Sequence, residues 1–423
     1  MSWLFLAVSL WGAWFTWNAL RPSWDSPRFA VVSFAAGWLT TELALHHIVW
    51  QVVATVFFAY AGALHHWPGA LGLVITFASW AGLLLVQRQA HAAEDVMERA
   101  LVESLGPGYR EQILPELREK LVHHIDWGRV WLPFPIRRRD VEIVKDIHFG
   151  RERATDLEVD IYRCSERKTG CPVLFQIHGG GWMIGTKDEQ ALPLMNHMAA
   201  AGWVCVTTNY RLSPAATYPE HLIDCKRALA WIREHVHEYG GDPDHVVVTG
   251  GSAGGHLAAL VALTPNDAEY QPSFEHIDTS VRGCVPFYGV YDFVNRSQTW
   301  RHDGLQGVVE ERILKCSLEE SREAWDRASP VTHCSQEAPP FFVIHGDSDT
   351  LVPVPEAREF VRALREKSRE PVAYAELPGA QHAFEIFPSV RTIHTVNGVH
   401  RFLAWLESGW RREREERRGR DAA

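Results

Sequence analysis

The chain has 423 residues, of which 46% are hydrophobic and 22% charged, and its formal net charge is −10. This composition excludes disordered and fibrous proteins, and the length allows one large domain with additional segments. Acidic residues outnumber basic ones, 52 to 42, so no basic surface is available for a run of phosphates. We therefore expect no nucleic-acid partner.

The N-terminal region differs in composition from the rest of the chain. Residues 1–87 carry only four formal charges, and the first 80 residues hold nine of the 18 tryptophans. Apolar runs cover 3–20, 29–64 and 69–87, and the outer two nearly reach the length of a membrane-spanning helix. The middle run is too long for one ordinary span, so it predicts either one long tilted helix or two short ones. The sequence thus predicts an all-α transmembrane region over 1–88, with three and possibly four spans.

Charged residues near these apolar runs indicate on which side of the membrane the large domain lies. With three spans, Arg21, Arg28 and the chain after Arg88 lie on one side, which the positive-inside rule places in the cytoplasm; four spans would reverse this. The seven cysteines are an odd number without C-x-x-C spacing, as expected of reduced thiols, so we predict a cytoplasmic large domain. Glu42 and His46 would share a helix face as a metal or proton site, but His46, His47, His65 and His66 flank possible helix ends, so positions at the membrane interface explain these histidines more simply.

The remaining chain divides into three parts. We expect an amphipathic linker or cap over 89–145, an α/β domain over 146–410 with an insertion or second cap at about 293–336, and a charged tail over 411–423. Apolar runs that alternate with helical patterns predict a mostly parallel sheet with helices on both faces. The predicted strands are 173–177, 204–208, 246–249, 281–288, 341–344 and 372–377.

A nucleophile motif follows the third predicted strand. Val246–Thr249 leads into Gly250-Gly-Ser252-Ala-Gly254, and a helical pattern begins directly afterwards. A G-x-S-x-G motif between a strand and a helix is typical of a nucleophile elbow, in which small neighbours allow a sharp turn that exposes the serine hydroxyl. Ser252 is therefore the predicted nucleophile.

A glycine-rich loop follows the first predicted strand, with the sequence His178-Gly-Gly-Gly-Trp182. Consecutive glycines let backbone N–H groups approach the oxygen that becomes negatively charged during acyl transfer. We predict an oxyanion hole from the amides of Gly180, Gly181 and Ala253, and we expect Trp182 to line the substrate pocket. A phosphate-binding loop is disfavoured because no G-K-[ST] follows.

A serine nucleophile needs a base and a carboxylate that orients the base, and the order Ser, Asp, His tells where to search. Downstream of Ser252, Asp347 and Asp349 follow a predicted strand, and His382 follows the next one. We favour Asp349 as the acid, with Asp347 as a loop-stabilising cap. Because the base must be neutral, activity is expected to rise with pH through about 6–7.

From about 156 to 405 the chain resembles the α/β-hydrolase superfamily, in particular its hormone-sensitive-lipase-like and feruloyl-esterase or carboxylesterase-like branches. The resemblance implies an α/β-hydrolase fold that hydrolyses carboxylic esters without a metal or an organic cofactor. The segments that carry it are His178–Trp182, Asn209–Pro214, Gly250–His256, His345–Asp349 with Val352–Pro353, and His382–Phe384.

Two departures favour the second branch. Gly251 stands where the hormone-sensitive-lipase-like pattern usually has Asp, and Asp349-Thr-Leu-Val-Pro replaces Asp-Pro-Leu. Membrane spans ahead of such a domain resemble membrane-anchored bacterial esterases, for which lipid-like esters and membrane lipids are the expected partners. Two alternatives stay open: an amide or formamide hydrolase that uses the same triad, and a non-catalytic membrane scaffold.

Overall fold

The computed structural model describes residues 1–134 and 136–421, so position 135 of the predicted linker and positions 422–423 of the predicted tail lie outside the described residues. The N-terminal region is all α-helical. Its helices are Ser2–Leu20 (α1), Pro27–Glu42 (α2), Ala44–Tyr60 (α3) and Trp67–Leu105 (α4). The axes of α2 and α3 differ by 90° across a one-residue break at Leu43. The long middle run therefore forms two short helices, which is the second of the two predicted arrangements.

Length and composition single out α4 as a possible membrane span. Within the described residues, α4 alone is by itself long and apolar enough to cross a bilayer, and α2 with α3 qualifies only as a bent pair. At about 1.5 Å per residue α4 is roughly 58 Å long, about twice the thickness of a hydrocarbon core. One long apolar helix is compatible with a membrane anchor. The number of spans stays a prediction.

The structure differs from the predicted boundary between 88 and 89, because that boundary lies inside α4. Ala93, Met97 and Leu101 follow at helical spacing and are fully buried in the same cluster as Val399 and Phe402. The segment expected to be a linker thus begins as a continuation of the apolar helix, and its buried face belongs to the core of the large domain. A rigid helix therefore joins the two parts of the chain.

The large domain is built on one eight-stranded sheet in the order β1-β2-β4-β3-β5-β6-β7-β8. Strands β1 and β2 are antiparallel to each other, β2 is antiparallel to β4, and all the other pairs are parallel. The strands are Val141–Glu152 (β1), Thr155–Cys164 (β2), Cys171–Ile177 (β3), Val204–Thr208 (β4), Gly241–Gly251 (β5), Gly283–Phe287 (β6), Phe341–Gly346 (β7) and Val372–Leu377 (β8). The predicted mostly parallel α/β fold is confirmed.

Helices cover both faces of the sheet, which explains why the central strands are apolar along their whole length. All residues of β3 and β4 are buried, for example. The helices after α4 are Tyr109–Gln112 (α5), Pro115–Arg118 (α6), Trp127–Trp131 (α7), Leu192–Ala201 (α8), Glu220–His235 (α9), Ala253–Leu263 (α10), Gly304–Val308 (α11), Arg322–Arg327 (α12), Pro355–Lys367 (α13) and Val390–Asp421 (α14). Strand β4 and strand β8 have the predicted bounds.

The antiparallel strands β1 and β2 were not among the predicted strands, and the expected domain start at 146 lies within β1. Both strands lie at one edge of the sheet, where β1 is only partly buried and carries charged residues. Such a strand lacks the continuous apolar run by which the central strands were identified.

Two further segments differ from expectation. The insertion at 293–336 contains α11, a π-helical turn Val309–Leu314 and α12, and it places Ile313 and Trp325 in the same core cluster as α10. It thus completes the core in addition to any covering role. The charged tail begins within α14, where Arg411 pairs with Glu407 because the two residues lie one turn apart.

The contact between α4 and α14 can be tested at Gly398. A Cβ on Gly398 would lie 2.9 Å from the Cβ of Met97, so Gly398→Ala should destabilise the fold by about 1–3 kcal/mol. Nothing lies within 4 Å of a Cβ on Gly409 of the same helix, so Gly409→Ala should stabilise the fold by about 0.5–1 kcal/mol. Thermal unfolding in detergent should lower Tm for the first variant and raise it for the second, by roughly 2–4 °C per kcal/mol. Equal Tm values would contradict a tight contact between α4 and α14.

Candidate active site

Three strand ends bring the predicted catalytic residues together. Strands β5, β7 and β8 belong to the parallel part of the sheet, so their carboxyl ends lie at one edge. Ser252 directly follows β5, Asp349 follows β7, and His382 follows β8. Residues far apart in sequence are therefore neighbours at this edge.

The turn at Ser252 has a backbone conformation that L-residues rarely adopt, with φ 58° and ψ −123°. The glycines around it are required by space, because a Cβ on Gly254 would overlap the carbonyl oxygen of Ile177 and one on Gly250 would overlap that of Gly254. The amide of Ser252 donates to the carbonyl oxygen of Phe287 (3.0 Å), which holds the strained turn against β6.

A line of hydrogen bonds joins the three side chains. His382 Nδ1 donates to Asp349 Oδ2 (2.6 Å), and Ser252 Oγ donates to His382 Nε2 (2.8 Å). The first bond fixes the tautomer, since a carboxylate only accepts, and leaves Nε2 free to receive the serine proton. Asp349 and His382 are 1% and 5% exposed, so little water competes for these bonds.

The carboxylate of Asp349 is held from several sides. Its Oδ1 accepts from the amides of Leu351 and Val352, both at 2.9 Å, and His345 Nε2 lies 3.3 Å from Oδ2. Burial alone would raise the pKa of Asp349, but the neighbouring His382 and the hydrogen bond from His345 outweigh burial and hold that pKa below its ordinary range. Asp349 is therefore ionised at neutral pH.

Asp347 has a different environment. Its Oδ1 accepts from the amide of Gly379 (2.7 Å) and from Ser348 Oγ (2.8 Å), and its side chain is exposed. These bonds cap the loop that precedes His382. Of the two carboxylates considered in the sequence, the structure places Asp349 beside His382.

The glycine loop passes directly beside the nucleophile, because a Cβ on Gly179 would lie 3.1 Å from Ser252 Cβ. Gly180 has φ 116° and a Cβ there would overlap the carbonyl oxygen of Ile184, while Gly181 has φ 58°. Within the described residues, the amides of Gly180 and Gly181 donate to no protein acceptor. They and Ala253, the first residue of α10, lie on the two segments that flank Ser252, and their role in an oxyanion hole stays a prediction.

Histidines next to this loop have structural partners. His178 stacks on Tyr210 with ring centroids 4.3 Å apart, and its Nδ1 donates to the carbonyl oxygen of Gly179 (2.7 Å). His256 Nε2 donates to the carbonyl oxygen of Ala328 (2.8 Å), and burial lowers the pKa of His256 to about 4. Neither imidazole is placed to act as the base for Ser252.

Trp182 lies in the core and is only 2% exposed. Its indole Nε1 donates to His256 Nδ1 (3.2 Å), and its ring packs edge-to-face on Phe293 with centroids 5.3 Å apart. The side chain thus supports the glycine loop from beneath. Its expected part in lining a substrate pocket stays a prediction.

Sequence reasoning missed Gln381, which joins the loops that carry Asp349 and His382. Its Oε1 accepts from the amides of Thr350 (2.8 Å) and His382 (3.0 Å). It also missed Tyr288, whose ring lies 4.6 Å from that of His382 and whose hydroxyl donates to the buried Glu385. The position of Gln381 directly before the predicted base was the one available signal, whereas Tyr288 gave none.

Two proteins described as ester hydrolases match nearly the whole chain. It is 44% identical over 395 residues to a probable carboxylic ester hydrolase, LipM, of Mycobacterium tuberculosis, covering 92% of this chain and 90% of that protein. It is 37% identical to the esterase LipQ of the same organism, covering 88% and 84%.

A family model described as BD-FAE matches residues 159–364, which include Ser252 and Asp349. Among solved structures, a truncated carbohydrate esterase from gut microbiota is similar with a TM-score of 0.55 at 20% identity, covering 63% of this chain and 99% of that one. This likeness supports the fold. The extent of the match to LipM and LipQ shows that the chain belongs to the α/β-hydrolase family of carboxylic ester hydrolases and is an enzyme of that type.

Proposed function

We propose that this carboxylic ester hydrolase is a membrane-anchored serine enzyme that works through Ser252, His382 and Asp349 and a covalent acyl-enzyme. The observation that carries the proposal is the hydrogen-bonded line from Asp349 Oδ2 through the imidazole to Ser252 Oγ, with bonds of 2.6 and 2.8 Å. The strained backbone at Ser252, which exposes its hydroxyl at the sheet edge, supports the same assignment.

In the first half of the reaction, Ser252 Oγ attacks the ester carbonyl carbon while His382 Nε2 takes the hydroxyl proton. Negative charge moves to the carbonyl oxygen, where the amides of Gly180, Gly181 and Ala253 would donate hydrogen bonds. The ionised Asp349 stabilises the imidazolium that forms. Collapse of the tetrahedral intermediate breaks the ester C–O bond, and His382 returns the proton to the leaving alcohol.

The second half repeats this chemistry with water. His382 Nε2 removes a proton from a water molecule, whose oxygen attacks the acyl carbon. The same amides stabilise the second oxyanion, and the bond between the acyl carbon and Ser252 Oγ breaks as His382 reprotonates the serine. The products are a carboxylic acid and free enzyme, so no co-reactant besides water is required.

Replacing the nucleophile tests the assignment. Ser252→Ala removes the attacking oxygen and should lower kcat on p-nitrophenyl esters by about 10⁵–10⁶-fold, with Tm nearly unchanged. A fluorophosphonate probe should label the wild type and not the variant. An aryl formamide of matched size, assayed in parallel, distinguishes an ester hydrolase from a formamide hydrolase. Undiminished ester hydrolysis by Ser252→Ala would contradict the mechanism.

The choice of acid is tested by a matched pair of variants. Asp349→Asn should lower kcat by about 10³–10⁴-fold, because a neutral amide neither holds the required tautomer nor stabilises the imidazolium. Asp347→Asn removes a charge two residues away that only caps the loop and should lower kcat less than about threefold. Because the pKa of Asp349 lies below its ordinary range, the deficit of Asp349→Asn should persist from about pH 5 upwards. The reverse ranking of the two variants would transfer the role to Asp347.

Exposed apolar side chains support membrane anchoring. Within the described residues, all but five of the exposed large apolar side chains lie in residues 1–85. Four of those five, Trp127, Trp131, Leu132 and Phe134, lie in or next to α7, which meets the N-terminal helices where His46 of α3 contacts the carbonyl oxygen of Trp131. Apolar surface of this extent is typical of a membrane-binding face. With three spans, Arg21, Arg28 and Arg88 lie on one side of the membrane, and the positive-inside rule then favours a cytoplasmic catalytic domain.

Charge placed on α4 tests the anchor. Val74 and Phe77 are 65% and 54% exposed, so the double variant Val74→Lys/Phe77→Lys should weaken membrane insertion by about 2.5–3.5 kcal/mol per charge. The measurement is the fraction that remains with membranes after an alkaline carbonate wash. Glu103→Lys changes an exposed residue at the far end of the same helix and serves as the control. Full retention of the double variant would contradict a lipid-facing α4.

A further inference from the structure

One face of α2 is turned toward the loops that carry the acid and the base. Ala30, Phe34, Trp38 and Glu42 follow one another at intervals of four residues, which places them on one side of a helix. Each of them contacts the catalytic domain near Asp349 or His382, or just beyond it at the start of α14. By contrast, Phe29, on another face of the helix, is 62% exposed.

The acid loop is held through two hydrogen bonds to the N-terminal region. The indole Nε1 of Trp24, just before α2, donates to the carbonyl oxygen of Asp349 itself (2.8 Å). Thr350 Oγ1 donates in the other direction, to the carbonyl oxygen of Ala30 (2.9 Å). Asp349 and Thr350 are almost completely buried, so these bonds face little competition from water. The backbone that orients the catalytic carboxylate is thus fixed from outside its own loop.

The base loop is held in the same way. Trp38 Nε1 donates to the carbonyl oxygen of Ala383 (2.7 Å), the residue after His382. Ala383 has a φ of 57°, which is unfavourable for an L-residue. The ring of Phe34 packs edge-on to the imidazole of His382, with centroids 6.2 Å apart, and stacks on Trp38. A strained position next to the base is therefore supported by α2.

The far end of α2 is fixed by charge. Glu42 forms a fully buried ion pair with Arg391 and accepts from Ser389 Oγ (2.6 Å) at the start of α14. The carboxylate that the sequence offered as a metal or proton site is thus paired with an arginine. Separating a buried ion pair leaves an uncompensated buried charge and strongly lowers stability. The pair therefore holds the C-terminal end of α2 in one position on the catalytic domain.

We propose that α2 is a positioning element of the active site: Trp24, Trp38 and the bond from Thr350 to Ala30 hold Asp349 and His382 in register with Ser252. The inference rests on the proposed triad. Displacement of a catalytic group by about 1 Å lowers the rate on the order of 10²-fold. Loss of a single hydrogen bond that holds one of these loops can therefore lower turnover strongly. The N-terminal region is then part of the catalytic apparatus as well as an anchor.

The test removes single hydrogen-bond donors from the detergent-solubilised full-length protein. Thr350→Val deletes the hydroxyl at nearly constant shape, together with its longer contact to Gln381 Oε1 (3.4 Å). Trp38→Phe and Trp24→Phe each delete one indole donor to a loop carbonyl, so they test the N-terminal contacts without touching Gln381. Each should lower kcat on a p-nitrophenyl ester about tenfold, the factor that one hydrogen bond supplies, while KM changes less than twofold. Thr350→Ser keeps the hydroxyl and should restore most of the rate. Trp17→Phe, at a 65% exposed indole on α1, should behave as wild type.

The outcomes separate this proposal from the proposed function. Wild-type kcat in Thr350→Val and Trp38→Phe, with ester hydrolysis and fluorophosphonate labelling of Ser252 intact, would overturn the role of α2 and leave the triad standing. A loss in Thr350→Val that Thr350→Ser does not restore, accompanied by a lower Tm, would show a purely structural role and also overturn it. Absence of labelling and of hydrolysis in the wild type would instead reject the triad itself.

Discussion

The hydrogen bond from His382 to Asp349 is the interaction on which the site depends. In the proposed mechanism it fixes the tautomer that lets Nε2 accept the serine proton. The bond exists because β7 and β8 are parallel neighbours whose carboxyl ends carry the two residues. Ser252 reaches the same edge through β5, two strands away. The sheet topology therefore brings the three residues to one edge, and the strained turn at Ser252 points its hydroxyl toward His382.

The N-terminal helices are joined to this site more closely than a tether requires. Helix α4 runs without a break from the apolar region into the core of the catalytic domain, so the two parts share one rigid element. Helix α2 adds hydrogen bonds to the backbone of the acid and base loops and a buried ion pair to α14. In this arrangement the orientation of the active site relative to the exposed apolar surface is fixed, as the proposed membrane-anchored enzyme requires.

Much of the catalytic domain could be predicted because its signals are local. The central strands are continuous apolar runs, and the motif around Ser252 lies within five residues, so each could be identified from a short window. The loops that hold Asp349 and His382 followed from their order after two such strands. By contrast, β1 lies at an edge and lacks a continuous apolar run.

The contacts of Trp24 and Trp38 could not be predicted from the sequence, because they join residues more than 300 positions apart. Tryptophans in an apolar segment indicate a membrane interface, and nothing in that pattern distinguishes an indole that faces lipid from one that donates to a loop of the active site.

The most direct test of the central claim is to quench the enzyme with acid during turnover of a slowly hydrolysed ester and to locate the acyl group by mass spectrometry. We predict an acyl adduct on Ser252, and turnover with no adduct there, or with an adduct on another residue, would contradict the account.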